Sequence, residues 1–272
     1  MKLALKRFDI SKIADDKVIV MIGKRGTGKS YLIKDLLYFH QDIPVGCVIS
    51  PTELANKYFS HFVPNSFIYE EYKPQIIENF VKRQKMAVDK VNQEKQVYGT
   101  SRVDPRGFLI LDDCLYNKSW VKDTNIRFVF QNGRHVKCMF IFSMQYPLGV
   151  TPELRTNIDY VFILRENIVG NRKRIYDNYA GMFPSFDIFC QVMDQCTENY
   201  ECLVIDNTSK SNRLEDIVFW YRAEDRPAFR LGHPQFWINN ETVSTRMDDE
   251  DEFNLSSVRK HKTVINVRKS MV

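Results

Sequence analysis

Gly23, Lys24, Arg25, Gly26, Thr27, Gly28, Lys29 and Ser30 stand in one unbroken run, G-x-x-x-x-G-K-S. Those residue types at that spacing hold a polyphosphate. The glycines accept backbone angles that a Cβ blocks, so the loop can turn its N–H groups inward as an anion cradle. A helix starting at the end of the run adds its first N–H groups and its dipole. Lys29 brings a mobile positive charge to the β- and γ-phosphates, and the Ser30 hydroxyl is a ligand for Mg²⁺. The run is a Walker A motif, or P-loop.

Two neighbouring acids supply the next chemistry. Asp112 and Asp113 close the apolar stretch Gly107-Phe108-Leu109-Ile110-Leu111, the pattern of a buried strand that ends in a Walker B acid. Ligands of parallel sheets sit at that carboxyl end. Asp112 is expected to hold Mg²⁺ with Ser30, and Asp113 to polarise an attacking water as general base. Gln145 follows a second apolar stretch, Cys138 to Met144, where it can sense the γ-phosphate or orient water. Arg134 lies at the other end of that stretch. It is too far away to serve its own nucleotide, and is a candidate arginine finger toward a neighbouring subunit. Arg155 is its rival.

These residues need a frame. Apolar runs at 17–22, 46–50, 107–112, 137–143 and 159–164 alternate with helical patterns at 29–39, 71–97, 119–131 and 171–180. That alternation predicts an α/β fold with a mainly parallel central sheet flanked by helices. A further short strand is expected near 65–69. The stretches 201–206 and 216–221 are expected to extend the same sheet. An acidic block, Asp248 to Glu252, precedes a basic end, so the chain divides into a P-loop domain over 1–240 and a charged tail over 241–272.

The chain has 272 residues, 44% of them hydrophobic, and a net charge of +5. That is enough for one sizeable core, and the mild basicity is compatible with nucleic acid. The six cysteines, at 47, 114, 138, 190, 196 and 202, show no C-x-x-C pair and read as packing residues. The first residues lack the apolar stretch of a secretory signal, and no window reaches the ~18 apolar residues of a membrane span. An intracellular protein is expected. Lys82, Arg83 and Lys85 on the 71–97 helix, with Lys118 and Lys122 after the Walker B acids, are candidate contacts to a phosphate backbone. Tyr31 and Phe183 are candidates to stack on a nucleobase.

With these motifs in place, the chain resembles the genome-packaging ATPases of nucleocytoplasmic large DNA viruses, within the FtsK–HerA superfamily of RecA/ASCE-like P-loop ATPases. The resemblance rests on the P-loop, Leu111-Asp112-Asp113-Cys114, Asn132-Gly133-Arg134-His135, Ser143-Met144-Gln145-Tyr146 and Leu154-Arg155-Thr156-Asn157-Ile158-Asp159-Tyr160. It spans roughly residues 17–220. One departure is Asp113, where many members of the superfamily carry Glu. The resemblance implies a homo-oligomeric ring, a pentamer or hexamer, with ATP and Mg²⁺ between subunits. Double-stranded DNA would thread the centre, with capsid or other virion proteins as further partners. It places the work in the host cytoplasm at the viral assembly site, with association with the virion as a further expectation.

Two other functions fit parts of the pattern. A small-molecule or nucleotide kinase would use Arg165, Arg172, Lys173 and Arg174 as a phosphate-binding lid. A P-loop scaffold that binds without hydrolysis would not need Lys29, Ser30, Asp112 and Asp113 all intact. No Asn/Thr-Lys-x-Asp guanine signature follows the strands, which favours ATP over GTP.

Overall fold

The computed structural model describes residues 4–114 and 120–238. The chain divides into two compact units, Met1–His233 and Pro234–Val272. The second is described only over 234–238, a helical turn. The charged tail of 241–272 lies outside the described residues, as does Lys118.

In the first unit the strands are β1 (Lys6–Arg7), β2 (Val18–Ile22), β3 (Gly46–Ile49), β4 (Ile68–Tyr69), β5 (Gly107–Leu111), β6 (Cys138–Met144), β7 (Tyr160–Ile163), β8 (Glu201–Asp206) and β9 (Val218–Arg222). The helices are α1 (Lys29–Tyr38), α2 (Glu53–Asn56), α3 (Pro74–Tyr98), α4 (Thr124–Asn132), α5 (Pro152–Arg155), α6 (Val169–Tyr179) and α7 (Phe186–Cys196). The described strands form one sheet in the order β1-β9-β8-β7-β2-β6-β5-β3-β4. All neighbours pair parallel except β8, which runs against β7 and β9.

The central strands are apolar along their whole length because helices cover both faces of a parallel sheet. Every residue of β2, β5 and β6 is buried. Phe130 of α4 packs edge-on against Phe140 and Phe142 of β6, and Trp120 tilts against Phe142. Helix α3 starts with Pro74 in its first turn and ends at Gly99 in the left-handed conformation, φ 76°, the favoured residue at each end.

The expected α/β architecture is present, and β8 and β9 extend the same sheet. Several details differ from the sequence reading, among them the short helices α2 and α5, which it did not include. The helix expected from 119 begins as a 3₁₀ turn, Trp120–Lys122, because the Asp123 side chain accepts from the Asn125 amide and restarts the chain as α4. Helix α7 was not anticipated. Its cap is Ser185, whose hydroxyl accepts from the Ile188 amide, and Phe189 and Met193 are buried at helical spacing. Edge strand β1 is too short to carry a sequence pattern. Among the described residues no helix is long and apolar enough to cross a membrane.

Candidate active site

The expected P-loop joins β2 to α1. Gly26 and Gly28 have φ of +77° and +100°, the left-handed region that glycine enters without steric cost. Gly23 is needed for closeness: a Cβ there would stand 2.7 Å from Thr27 Oγ1 and 2.8 Å from Leu164 Cβ. The Thr27 hydroxyl donates to the Lys24 carbonyl at 2.8 Å and tightens the loop. Lys29 is 5% exposed. Its ammonium donates to the carbonyls of Gly23 at 2.9 Å and Lys24 at 3.1 Å. Arg25 lines the cleft beside the loop.

The strand order sets the opposite wall. Leu111 of β5 pairs with Phe142 of β6, and Ile22 of β2 with Met144. The residues just beyond these pairs therefore meet at the carboxyl edge. Ser143 is the buried hinge of the group: its hydroxyl donates to Asp112 Oδ1 at 2.6 Å and accepts from the Asp113 amide at 3.0 Å. Asp113 adopts φ +52°, a conformation that costs a non-glycine residue about 1–2 kcal/mol. Its Oδ2 accepts from Gln145 Nε2 at 3.0 Å, and its Oδ1 faces Lys29 Nζ at 3.6 Å. That buried Oδ1 has no hydrogen-bond donor among the described residues. Asp113, Gln145 and Lys29 thus converge.

Asp112 is almost fully buried, and burial pushes its carboxyl above the usual range against the pull of Ser143. Among the described residues, Asp112 Oδ2 has only long contacts, 3.4 Å to Ser30 Oγ and 3.5 Å to Ser50 Oγ. An oxygen with spare capacity and an adjacent serine hydroxyl form a hard-oxygen donor set of the kind that suits Mg²⁺.

Together these groups line a cleft of about 790 Å³. Pro51, Thr52, Ala55 and Asn56 wall it beside Asp112; Tyr31, Tyr200, Arg222 and Asp225 wall it beyond the P-loop. The loop is braced from outside. Lys24 pairs at 2.8 Å with Glu166, a buried carboxylate that also accepts from the Ile168 amide at 2.8 Å and the Asn171 amide group at 3.0 Å. That network holds the Glu166 carboxyl below its usual range despite burial.

Other candidates fall elsewhere. Arg134 is exposed in the 3₁₀ turn before β6, at the far end of the sheet. Arg155 ends α5 with its guanidinium 5.6 Å from the centre of the Tyr179 ring. Phe183 is 2% exposed and packs on Phe189, so it faces the core and not a base. On α3, Lys82 pairs with Glu78 at 2.5 Å, Lys85 lies 4.1 Å over the Phe128 ring, and Arg83 is half-buried. Lys122 is exposed after the Walker B acids. All four residues read as a kinase lid already have partners: Arg172 with Asp194, Lys173 with Asp177, Arg174 with Asn171 and the Tyr146 ring, and Arg165 with Asn167 at 3.2 Å. Sequence reasoning missed Ser143, Glu166, Tyr200 and Asp225.

No protein-family model matches the chain. It is 43% identical over 236 residues to protein L437 of Acanthamoeba polyphaga mimivirus, covering 86% of this chain and 82% of that one. It is 41% identical over 206 residues to protein 088R of Invertebrate iridescent virus 3, covering 75% of each. Among solved structures, its fold matches the genome packaging NTPase B204 of Sulfolobus turreted icosahedral virus 2 in complex with sulfate. The TM-score is 0.54 at 18% identity, over 79% of this chain and all of B204. B204 is also solved with ATP-γS, matching at a TM-score of 0.52 and 17% identity over 77% of this chain and 98% of B204.

Proposed function

The chain belongs to a family of nucleocytoplasmic large DNA virus proteins that includes mimivirus L437 and iridescent virus 088R, and on that premise we propose that it is a genome-packaging ATPase of the FtsK–HerA type, an ATP-hydrolysing motor that moves double-stranded DNA into a capsid. The observation that carries the reading is the Asp113 carboxylate. Gln145 holds one of its oxygens, Ser143 fixes its backbone, and the other oxygen faces Lys29 with no hydrogen-bond donor among the described residues. Once Lys29 turns to the phosphates, that oxygen takes the proton of a water attacking the γ-phosphate.

Each residue has a task in this scheme. The amides of the 23–30 loop and the start of α1 bind the phosphates. Lys29 leaves the Gly23 and Lys24 carbonyls to neutralise the β- and γ-phosphate oxygens, and Gln145 orients the water. Ser30 and Asp112 would hold Mg²⁺, which would supply positive charge to offset that of the phosphates. Arg134, exposed and remote from its own cleft, serves the nucleotide of a neighbouring subunit in a ring. Arg155, stacked on Tyr179, is the less available finger. The exposed Lys122 grips DNA phosphates, contacts that are sequence-independent and salt-sensitive.

The test is steady-state ATP hydrolysis, with and without double-stranded DNA, across protein concentration. A motor completed between subunits turns over faster with both, and its DNA binding weakens steeply with salt. Turnover indifferent to DNA and concentration would instead indicate a self-contained phosphotransferase.

A further inference from the structure

The P-loop and the two acids account for the phosphate end of the cleft and leave its other end unexplained. Beyond the loop the cleft continues between the start of α1 and the ends of β8 and β9, lined by Tyr31, Tyr200, Arg222 and Asp225. Two of these are large aromatic side chains in solvent: Tyr200 is 69% exposed and Tyr31 39%.

Tyr200 is held there by its backbone. Asn199 and Tyr200 are consecutive residues with φ of +49° and +64°. The left-handed region is costly for a bulky residue, and such strain persists where the surrounding structure enforces it. The turn brings α7 back into β8 and stands the ring over the P-loop. A Cβ placed on Gly28 would lie 3.6 Å from Tyr200 Cδ1. The ring therefore borders the anion cradle directly, at van der Waals distance.

Tyr31 is fixed by a different device. Its hydroxyl donates to Asp225 Oδ1. The segment carrying Asp225 is fastened to α1 through Asp35, which is 1% exposed. Asp35 accepts from Tyr221 Oη at 2.6 Å, the Glu224 amide at 3.0 Å and Arg226 Nε at 2.6 Å. The helix that begins the phosphate site thus also positions the far wall, so the two ends of the cleft are built as one.

We propose that this end is the nucleobase site of the nucleotide bound by the P-loop, with the base stacked on the Tyr200 ring and Tyr31 closing the wall beside it. The assignment rests on the P-loop reading above and adds to it the residues that hold the nucleoside. Stacking on an aromatic face tolerates any base and is strongest for the extended purine ring. Affinity at this end therefore comes from ring overlap.

The experiment compares ATP with inorganic tripolyphosphate, which has the same phosphate chain and no base. Binding is measured calorimetrically on the full chain for wild type, Tyr200→Ala and Tyr200→Trp. The wild type is expected to bind ATP more tightly than tripolyphosphate. Tyr200→Ala should weaken ATP binding about tenfold, leave tripolyphosphate binding unchanged, and be rescued by Tyr200→Trp. The proposal is overturned if Tyr200→Ala leaves ATP affinity intact, or if it weakens both ligands equally, which would mark damage to the loop. Wild type that binds tripolyphosphate as tightly as ATP also removes the base site, yet leaves the P-loop standing. Wild type that binds neither overturns the P-loop reading and this proposal with it.

Discussion

The side-chain amide of Gln145 donates to Asp113 Oδ2 at 3.0 Å. One residue follows β6 and the other follows β5, so the bond joins the ends of two neighbouring parallel strands. It leaves Asp113 with one oxygen for chemistry and one for support. Gln145→Ala should lower kcat by about tenfold to a hundredfold while KM for ATP stays within about twofold. Steady-state kinetics reads the split, and a loss confined to KM would move Gln145 from the chemical step to binding.

Ser143 serves both acids at once. Ser143→Ala removes the donor to Asp112 Oδ1 and the acceptor of the Asp113 amide, two bonds of 2.6 and 3.0 Å in a buried place. Leaving buried groups unpaired costs about 1–3 kcal/mol. Urea unfolding should show that loss, and turnover should fall with it. Wild-type stability in the variant would mean that water replaces the hydroxyl.

Asp112 should set a pH dependence. Burial raises its carboxyl in the folded chain above its value in the unfolded one. Its contribution is therefore fully present below the unfolded carboxyl value, near 4, and is lost as pH rises through the folded value. At pH 7, without Mg²⁺, the group weighs against folding, because it is ionised in the unfolded chain and burial disfavours its charged form. Asp112→Asn should then raise Tm by about 2–4 °C for each 1 kcal/mol relieved, while abolishing turnover. Thermal melts at pH 7 and pH 4 test this, since the gain should shrink at the lower pH.

Arg134 and Lys29 lie at different ends of the subunit, so a ring would combine them from two chains. Arg134→Ala and Lys29→Ala should each be inactive alone. Mixed together they should regain turnover, because some interfaces then hold an intact Lys29 from one chain and an intact Arg134 from the next. A mixture that stays inactive, set beside Arg155→Ala mixed in the same way, would transfer the finger to Arg155 or remove it.

The parts of the site carried by local sequence were legible. The P-loop needs its glycines in one run, and Asp112, Asp113 and Gln145 each follow an apolar stretch long enough to read as a buried strand. Ser143 was hidden because it sits inside the stretch Cys138–Met144, where a serine reads as one more strand residue. Its role appears only when β5 and β6 pair with Leu111 opposite Phe142. Tyr200 was invisible for a related reason. Nothing local signals that a turn after α7 will be folded back beside Gly28 by the reversed strand β8. The basic residues of α3 show the converse, since charge type was plain in the sequence and the partners Glu78 and Phe128 were not.

The carboxylate of Asp35 sets a limit on how short a working fragment can be. Its three donors come from Tyr221, Glu224 and Arg226, nearly two hundred residues along the chain. A fragment ending just after β8 would keep every phosphate-binding residue and strand a buried charge inside the helix that presents them, at a cost of about 3–5 kcal/mol. The smallest piece worth expressing therefore ends beyond Arg226, although the last residue of the phosphate machinery is Gln145.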